Sequence, residues 1–159
     1  MSQSLKLNPQ NTNGNFLVIV ECAIEHNDKF LIIKRPKGVH AGDLFAFPWG
    51  KVECSDGQEG HNILVEAVKR EVAEEVGLIL LDPIQFVVSS YFIDSHNVPV
   101  LDVIFHCKLE KTLMQIQASP REVPEYHWLS YDEILLHHSS PIWLKQYLSA
   151  IYQSNSISH

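Results

Sequence analysis

The stretch VKREVAEEVGL, residues 68–78, constrains this chain more than any other. It places Glu71, Glu74 and Glu75 within five positions, and like charges that close weaken a helix by a few tenths of a kcal/mol per pair. Val65, Val68, Val72 and Val76 fall in one stripe at about 100° per residue, which predicts a helix over 62–76 with that stripe on the core. Gly77 follows where a C-terminal cap is required. With Glu71 as origin, Glu75 lies at about +40° and Glu74 at about −60°. The three carboxylates therefore share a face at the margin of the buried stripe. Surplus charge would normally go to the far side, where Glu66, Lys69 and Ala73 point. Solvated pairing explains part of the pattern, because Glu66–Arg70 and Arg70–Glu74 are both spaced i,i+4. Crowding at the core margin makes chemical sense when a hard cation neutralises it.

Around this helix the chain alternates between strand and turn composition. FLVIVECAIEH (16–26) and KFLIIKR (29–35) read as two strands joined by a hairpin at His26-Asn27-Asp28. A loop with Pro36, Gly38 and Gly42 leads to the extended stretch LFAFPWGKVE (44–53), broken by Pro48, and then to the loop CSDGQEGHN (54–62). Further strands are predicted at 84–93, 100–109 and 125–130, with helical segments from Tyr131 and over 142–153. Strands with helices on their faces predict a mixed α/β layered domain. The expected organisation is a flexible N-terminal segment at 1–14, one domain over 15–154 and a short tail at 155–159.

Composition narrows the chemistry. A net charge of −7 argues against a nucleic-acid duplex partner, which needs a basic face. A small phosphate substrate remains compatible, because a divalent cation can lie between two anions. No apolar run reaches the roughly 18–20 residues that span a bilayer, and residues 1–15 lack the apolar core of a signal peptide, so the expectation is a cytoplasmic protein away from membranes. Cys22, Cys54 and Cys107 are odd in number and show no CxxC spacing, which predicts free thiols. The nine histidines are scattered without the spacing of a zinc site.

Residues 70–78, REVAEEVGL, follow the pattern R-E-apolar-x-E-E-x-G-apolar throughout, and here the chain resembles the Nudix family. FLIIKR (30–35) and GDLFAFPWGKVE (42–53) resemble the MutT-like branch, and the likeness extends loosely over 17–136 to include EVPEYHWLSYDEI (122–134). The resemblance implies an α/β/α sandwich with a mixed central sheet and an enzyme that hydrolyses a nucleoside diphosphate linked to another group, X, with Mg²⁺ or Mn²⁺. Carried over, Glu71, Glu74 and Glu75 hold the metals together with the backbone carbonyl of Trp49. Glu71, Glu74 and Arg70 belong to the catalytic set, and Glu122, six residues before Trp128, is the candidate for an additional carboxylate that takes a proton from water. Arg35 and Lys51 are candidate phosphate contacts, and Phe47 and Trp49 candidate contacts to the rest of the substrate, although Phe45 and Phe47 alternate as core residues also do.

Two departures stand out. In the family about fourteen positions separate the opening glycine of the box from its arginine, whereas Gly50 and Arg70 are 20 apart, leaving six extra residues. The glutamate that supports the arginine then has four candidates: Asp56 counting forward from Gly50, Asn62 counting back from Arg70, and Glu53 or Glu59 nearby. Trp49 stands where the family usually has glycine, which implies an altered turn or a partly blocked site, a ring stacked on a nucleobase, or a ring packed over the lengthened loop. Markers of particular substrates are missing. Ile93 stands where ADP-ribose hydrolases tend to carry proline, Tyr91 comes too early for a diadenosine-polyphosphate hydrolase, and RPKGVHAGDLFAF shares only His40 and Gly42 with a coenzyme A signature. A nucleoside triphosphate or a modified nucleotide is what remains. The rival readings are a non-catalytic nucleotide sensor on the same fold, and an isoprenoid diphosphate isomerase, for which neither Cys22 nor Cys54 is well placed. The oligomeric state is left open, a homodimer included.

Overall fold

In the computed structural model, residues 16–57, 60–109 and 115–156 are described. The expected N-terminal segment, Glu59 and the last three positions of the expected tail lie outside them. The chain opens with a hairpin of β1 (Leu17–His26) and β2 (Lys29–Lys34). Asn27 and Asp28 both adopt positive φ, 49° and 59°, the pairing that a tight two-residue hairpin turn demands. Short β3 (Phe45–Ala46) and β4 (Trp49–Lys51) follow, split at Pro48, and then α1 (Ile63–Val76). The second half holds β5 (Gln85–Ile93), β6 (Pro99–Lys108), β7 (Glu125–Ser130), α2 (Tyr131–Leu136) and α3 (Ile142–Ser156). The last helix continues two residues past the expected domain end.

Among the described residues the strands form one seven-stranded sheet ordered β3-β2-β1-β6-β5, with β4 also paired to β1 and β7 to β2. β1 and β6 run parallel and the other pairs are antiparallel, so the sheet is mixed as expected. Its inner strands are apolar nearly throughout because both faces are covered. Val20, Cys22 and Ile24 of β1 face α1, together with Leu31, Ile33, Val103 and Phe105 and the helix stripe of Val68, Val72 and Val76. The alternate residues Ala23, Phe30, Ile32 and Ile104 face the other way, onto Ile134 of α2 and Leu144, Leu148 and Ile151 of α3. The result is a three-layer α/β/α sandwich. Among the described residues no helix is long and apolar enough to cross a membrane. The cysteines are free, Cys22 and Cys107 buried and Cys54 exposed.

The ends of α1 decide where its carboxylates stand. Asn62 takes a left-handed conformation (φ 55°), so the helix starts only at Ile63. Gly77 (φ 72°) closes it, its N–H returning to the Ala73 carbonyl. The unpaired carbonyls of the last turn accept from the loop that precedes β7: Gln117 N donates to Val76 O at 2.9 Å and Ser119 N to Glu75 O at 2.8 Å.

Candidate active site

Helix α1 lays Glu71, Glu74 and Glu75 along β4. Glu75 is 5% exposed, and its Oε2 accepts the backbone N–H of Trp49 at 2.9 Å. Burial pushes its carboxyl up to about 8. The carboxylates of Glu71 and Glu122 push the same way, while the Trp49 N–H and Arg35 pull against it. Glu71 is half-buried and is likewise raised by burial, opposed by its bond to Arg70 and reinforced by Glu74 and Glu122. It lies directly over Gly50, where an added Cβ would come within 1.9 Å of its Cδ. Glu74 is the most exposed of the three. Glu122 is exposed on the loop before β7, its N–H bonded to Ser119 O at 3.1 Å. The pairing of Ser119 with the last turn of α1 is what brings that loop, and the charge of Glu122, to the other carboxylates. Nothing in the sequence marked Gln117 or Ser119 for this task, since their contacts are made by backbone atoms.

Arg70 organises the group. Its Nε donates to Asp56 Oδ1 at 2.7 Å and its Nη2 to Asp56 Oδ2 at 2.9 Å, a two-pronged pairing. Nη2 also reaches Lys51 O at 2.8 Å, and Nη1 donates to Glu71 Oε1 at 2.8 Å and Glu74 Oε2 at 3.2 Å. Of the candidates to support the arginine, Asp56 is the residue that does so among those described. The Arg70 guanidinium holds the Asp56 carboxyl below its usual range, and Asp56 Oδ2 further accepts the N–H of Glu53 at 2.8 Å. The extra residues therefore fall after Asp56, in the loop leading to α1.

Trp49 sits in an extended strand with no positive φ, so the altered turn implied by a bulky residue there is not found. It faces Glu21 across β1–β4 as a non-hydrogen-bonded pair, flanked by Cys22 N→Pro48 O at 2.9 Å. In such a pair both N–H and C=O turn away from the partner strand, here toward α1. The indole is covered by Arg35, whose Cζ lies 4.1 Å from the ring centroid. One face of the ring is therefore taken by Arg35 rather than left open for stacking. Arg35, expected as a phosphate contact, is only 8% exposed. Lys51 projects an exposed side chain beside Gly50. Phe47 is not brought to the site: it is fully buried on the α3 side of the sheet, against Phe30.

Behind Arg35 lies a polar group whose role the sequence did not reveal. Glu21 and Asp102 are both buried on the α3 face of the sheet, and Tyr147 Oη of α3 donates to Asp102 Oδ2 at 3.0 Å. Burial raises both carboxyls, and the neighbouring Asp102 charge pushes Glu21 up further. Their signal in the sequence is an acid in the interior of each of two mostly apolar strands.

The donor set suits a hard cation: carboxylate and carbonyl oxygens, a glycine that admits Glu71 to the strand, and like charges left in mutual repulsion. As the side chains stand, Glu71 and Glu74 are turned to Arg70 and Glu75 to the Trp49 N–H. Among the described residues no three His, Cys, Asp or Glu groups converge on one point. The residues fit the group in kind and place, and loading it means rotating carboxylates away from Arg70.

The family model described as NUDIX domain matches residues 16–150. No curated protein sequence matches the chain. Solved structures share the fold. The MutT protein from Methanosarcina mazei Go1 aligns with a TM-score of 0.72 at 21% identity, over 88% of this chain and 95% of that one. A MutT NUDIX hydrolase from Burkholderia pseudomallei gives 0.71 at 19%, over 86% and 98%. The NUDIX domain of Shewanella oneidensis NrtR, complexed with ADP ribose, gives 0.68 at 16%, over 91% and 90%.

Proposed function

This chain belongs to the Nudix family, and from that membership we propose that it is a metal-dependent pyrophosphohydrolase acting on a nucleoside triphosphate or modified nucleotide. The observation that carries the reading is the complete carboxylate set of α1, packed against β4 over Gly50 and anchored by Arg70. Glu71, Glu74, Glu75 and the carbonyl of Trp49 would hold Mg²⁺ or Mn²⁺. When bound, such a cation supplies Lewis-acid polarisation of phosphoryl oxygens and makes water a better nucleophile.

The remaining roles belong to the chain itself. Arg70 holds Glu71 and Glu74 on one side and Asp56 on the other, which keeps these carboxylates beside β4 and within a rotation of a shared cation. Glu122 accepts the proton of the attacking water, as its exposure and its closeness to Glu71 and Glu75 allow. Water adds to phosphorus, the bridging P–O bond breaks, and the leaving phosphate oxygen carries away the electron pair. Lys51 offers a mobile point charge to the phosphates.

The test is phosphate or pyrophosphate release from nucleoside triphosphates, nucleotide sugars and dinucleotides with Mg²⁺, Mn²⁺ or EDTA, for the wild type and Glu74→Gln. Turnover should need the cation and should fall about 100-fold or more in the variant, with nucleotide binding retained. Nucleotide binding without turnover on any substrate would overturn the hydrolase and leave the sensor.

A further inference from the structure

Tryptophan at position 49 puts the largest side chain on the backbone segment that has to face the carboxylates. Its N–H is held by Glu75, and its carbonyl lies on the same edge of β4. An indole free to swing there would cover that edge.

Arg35 prevents the swing. Its Cζ lies over the ring, 4.1 Å from the centroid, and Trp49 also packs on the core cluster beneath α1. The arginine is itself immobilised. Its Nε donates to His40 O at 2.9 Å, its N–H to Leu44 O at 2.9 Å, and its carbonyl accepts from Asp43 N at 3.1 Å. Burying a guanidinium this deeply is costly unless an opposite charge lies nearby, and Glu21, Glu75 and Asp102 all act favourably on its charge. Asp102 is tied in turn to Tyr147, whose Oη lies 2.7 Å from Ser90 Oγ, so the counter-charge is anchored to α3 and β5.

We propose that Arg35 is a positioning residue: it clamps the Trp49 indole against the core so that the residue-49 backbone stays turned toward Glu75 and the other carboxylates, with Glu21 and Asp102 as the buried counter-charge that keeps it there. The benefit to catalysis rests on the hydrolase reading above; the clamp does not. A phosphate-binding arginine and a clamping arginine differ in what their loss disturbs. The first raises KM for nucleotide. The second alters the cradle before any nucleotide arrives.

The experiment compares wild type, Arg35→Ala, and Arg35→Ala combined with Trp49→Gly. It reads hydrogen exchange of the residue-49 amide by NMR in EDTA and Mn²⁺ affinity by electron paramagnetic resonance without nucleotide. Arg35→Ala should speed that exchange and weaken Mn²⁺ about tenfold or more, the usual scale for losing a group that orients a ligand, and kcat should fall more than KM rises. The double variant should recover Mn²⁺ affinity and kcat, because glycine leaves no ring to clamp; a defect of folding would not be rescued. Unchanged exchange and Mn²⁺ affinity in Arg35→Ala, or no rescue, overturns the proposal. If the wild type neither binds Mn²⁺ nor turns over, the hydrolase reading fails, and the exchange data still decide the clamp.

Discussion

At the scale of single residues the site is governed by how Arg70 divides its donors. Asp56 takes two of them in parallel, with its own side chain almost fully buried, while Glu71 and Glu74 share Nη1. Removing Asp56 leaves a partly buried guanidinium with only the site carboxylates to pair, so it would draw them away from a cation. Asp56→Ala is therefore expected to cost about 2 kcal/mol of stability and to lower kcat about tenfold or more. Denaturant unfolding and steady-state kinetics check it; wild-type values in both would remove Asp56 from the site. Among the described residues it is Asp56, the position reached by counting forward from Gly50, that pairs with Arg70, a choice the sequence leaves open. Loop residues are chosen by which carboxylate reaches the guanidinium in space, and four stood within reach along the chain.

At the scale of elements, α1 and β4 meet so closely that any side chain at Gly50 would displace the Glu71 carboxylate. Gly50→Ala places its Cβ 1.9 Å from Glu71 Cδ. Either the carboxylate leaves or the helix moves. The expected result is a loss of about 1–3 kcal/mol, as for other overpacked contacts, with a marked loss of turnover; an active, stable Gly50→Ala protein would contradict the packing. Elements of this kind were legible beforehand. The helix, its cap at Gly77, the hairpin turn and all the longer strands stand where periodicity and turn chemistry place them. Phe47 was not legible as core rather than contact, because alternation assigns a residue to a face without saying what covers that face.

At the scale of the whole molecule, buried acids make stability depend on pH. Glu75 rises from an ordinary 4.5 to about 8 and Asp102 from 3.8 to about 6. Folded-state values above the unfolded ones mean that the native protein keeps protons the unfolded chain has released. The contribution is fully present below about pH 4 and is lost as pH rises toward 8. In EDTA the melting temperature should therefore fall by several degrees between pH 5 and 8, and Mg²⁺ or Mn²⁺ should restore it at pH 8 by binding the ionised carboxylates. Scanning calorimetry with Glu75→Gln as control tests this: a slope that persists unchanged in the variant would show that Glu75 is not its source.

The sequence by itself determined the family, the layered fold and the carboxylate trio, because each is written in local spacing: a helical stripe, an alternating strand, a capping glycine. Only the tertiary structure decided that Asp56 serves Arg70, that Trp49 lies under Arg35, that Glu122 comes within range of the helix, and that Glu21 and Asp102 meet beneath the sheet. Those pairings join residues far apart along the chain. Burial and electrostatics select them only after the strands have been laid side by side, when a desolvated charge must find whichever partner the fold has put within reach.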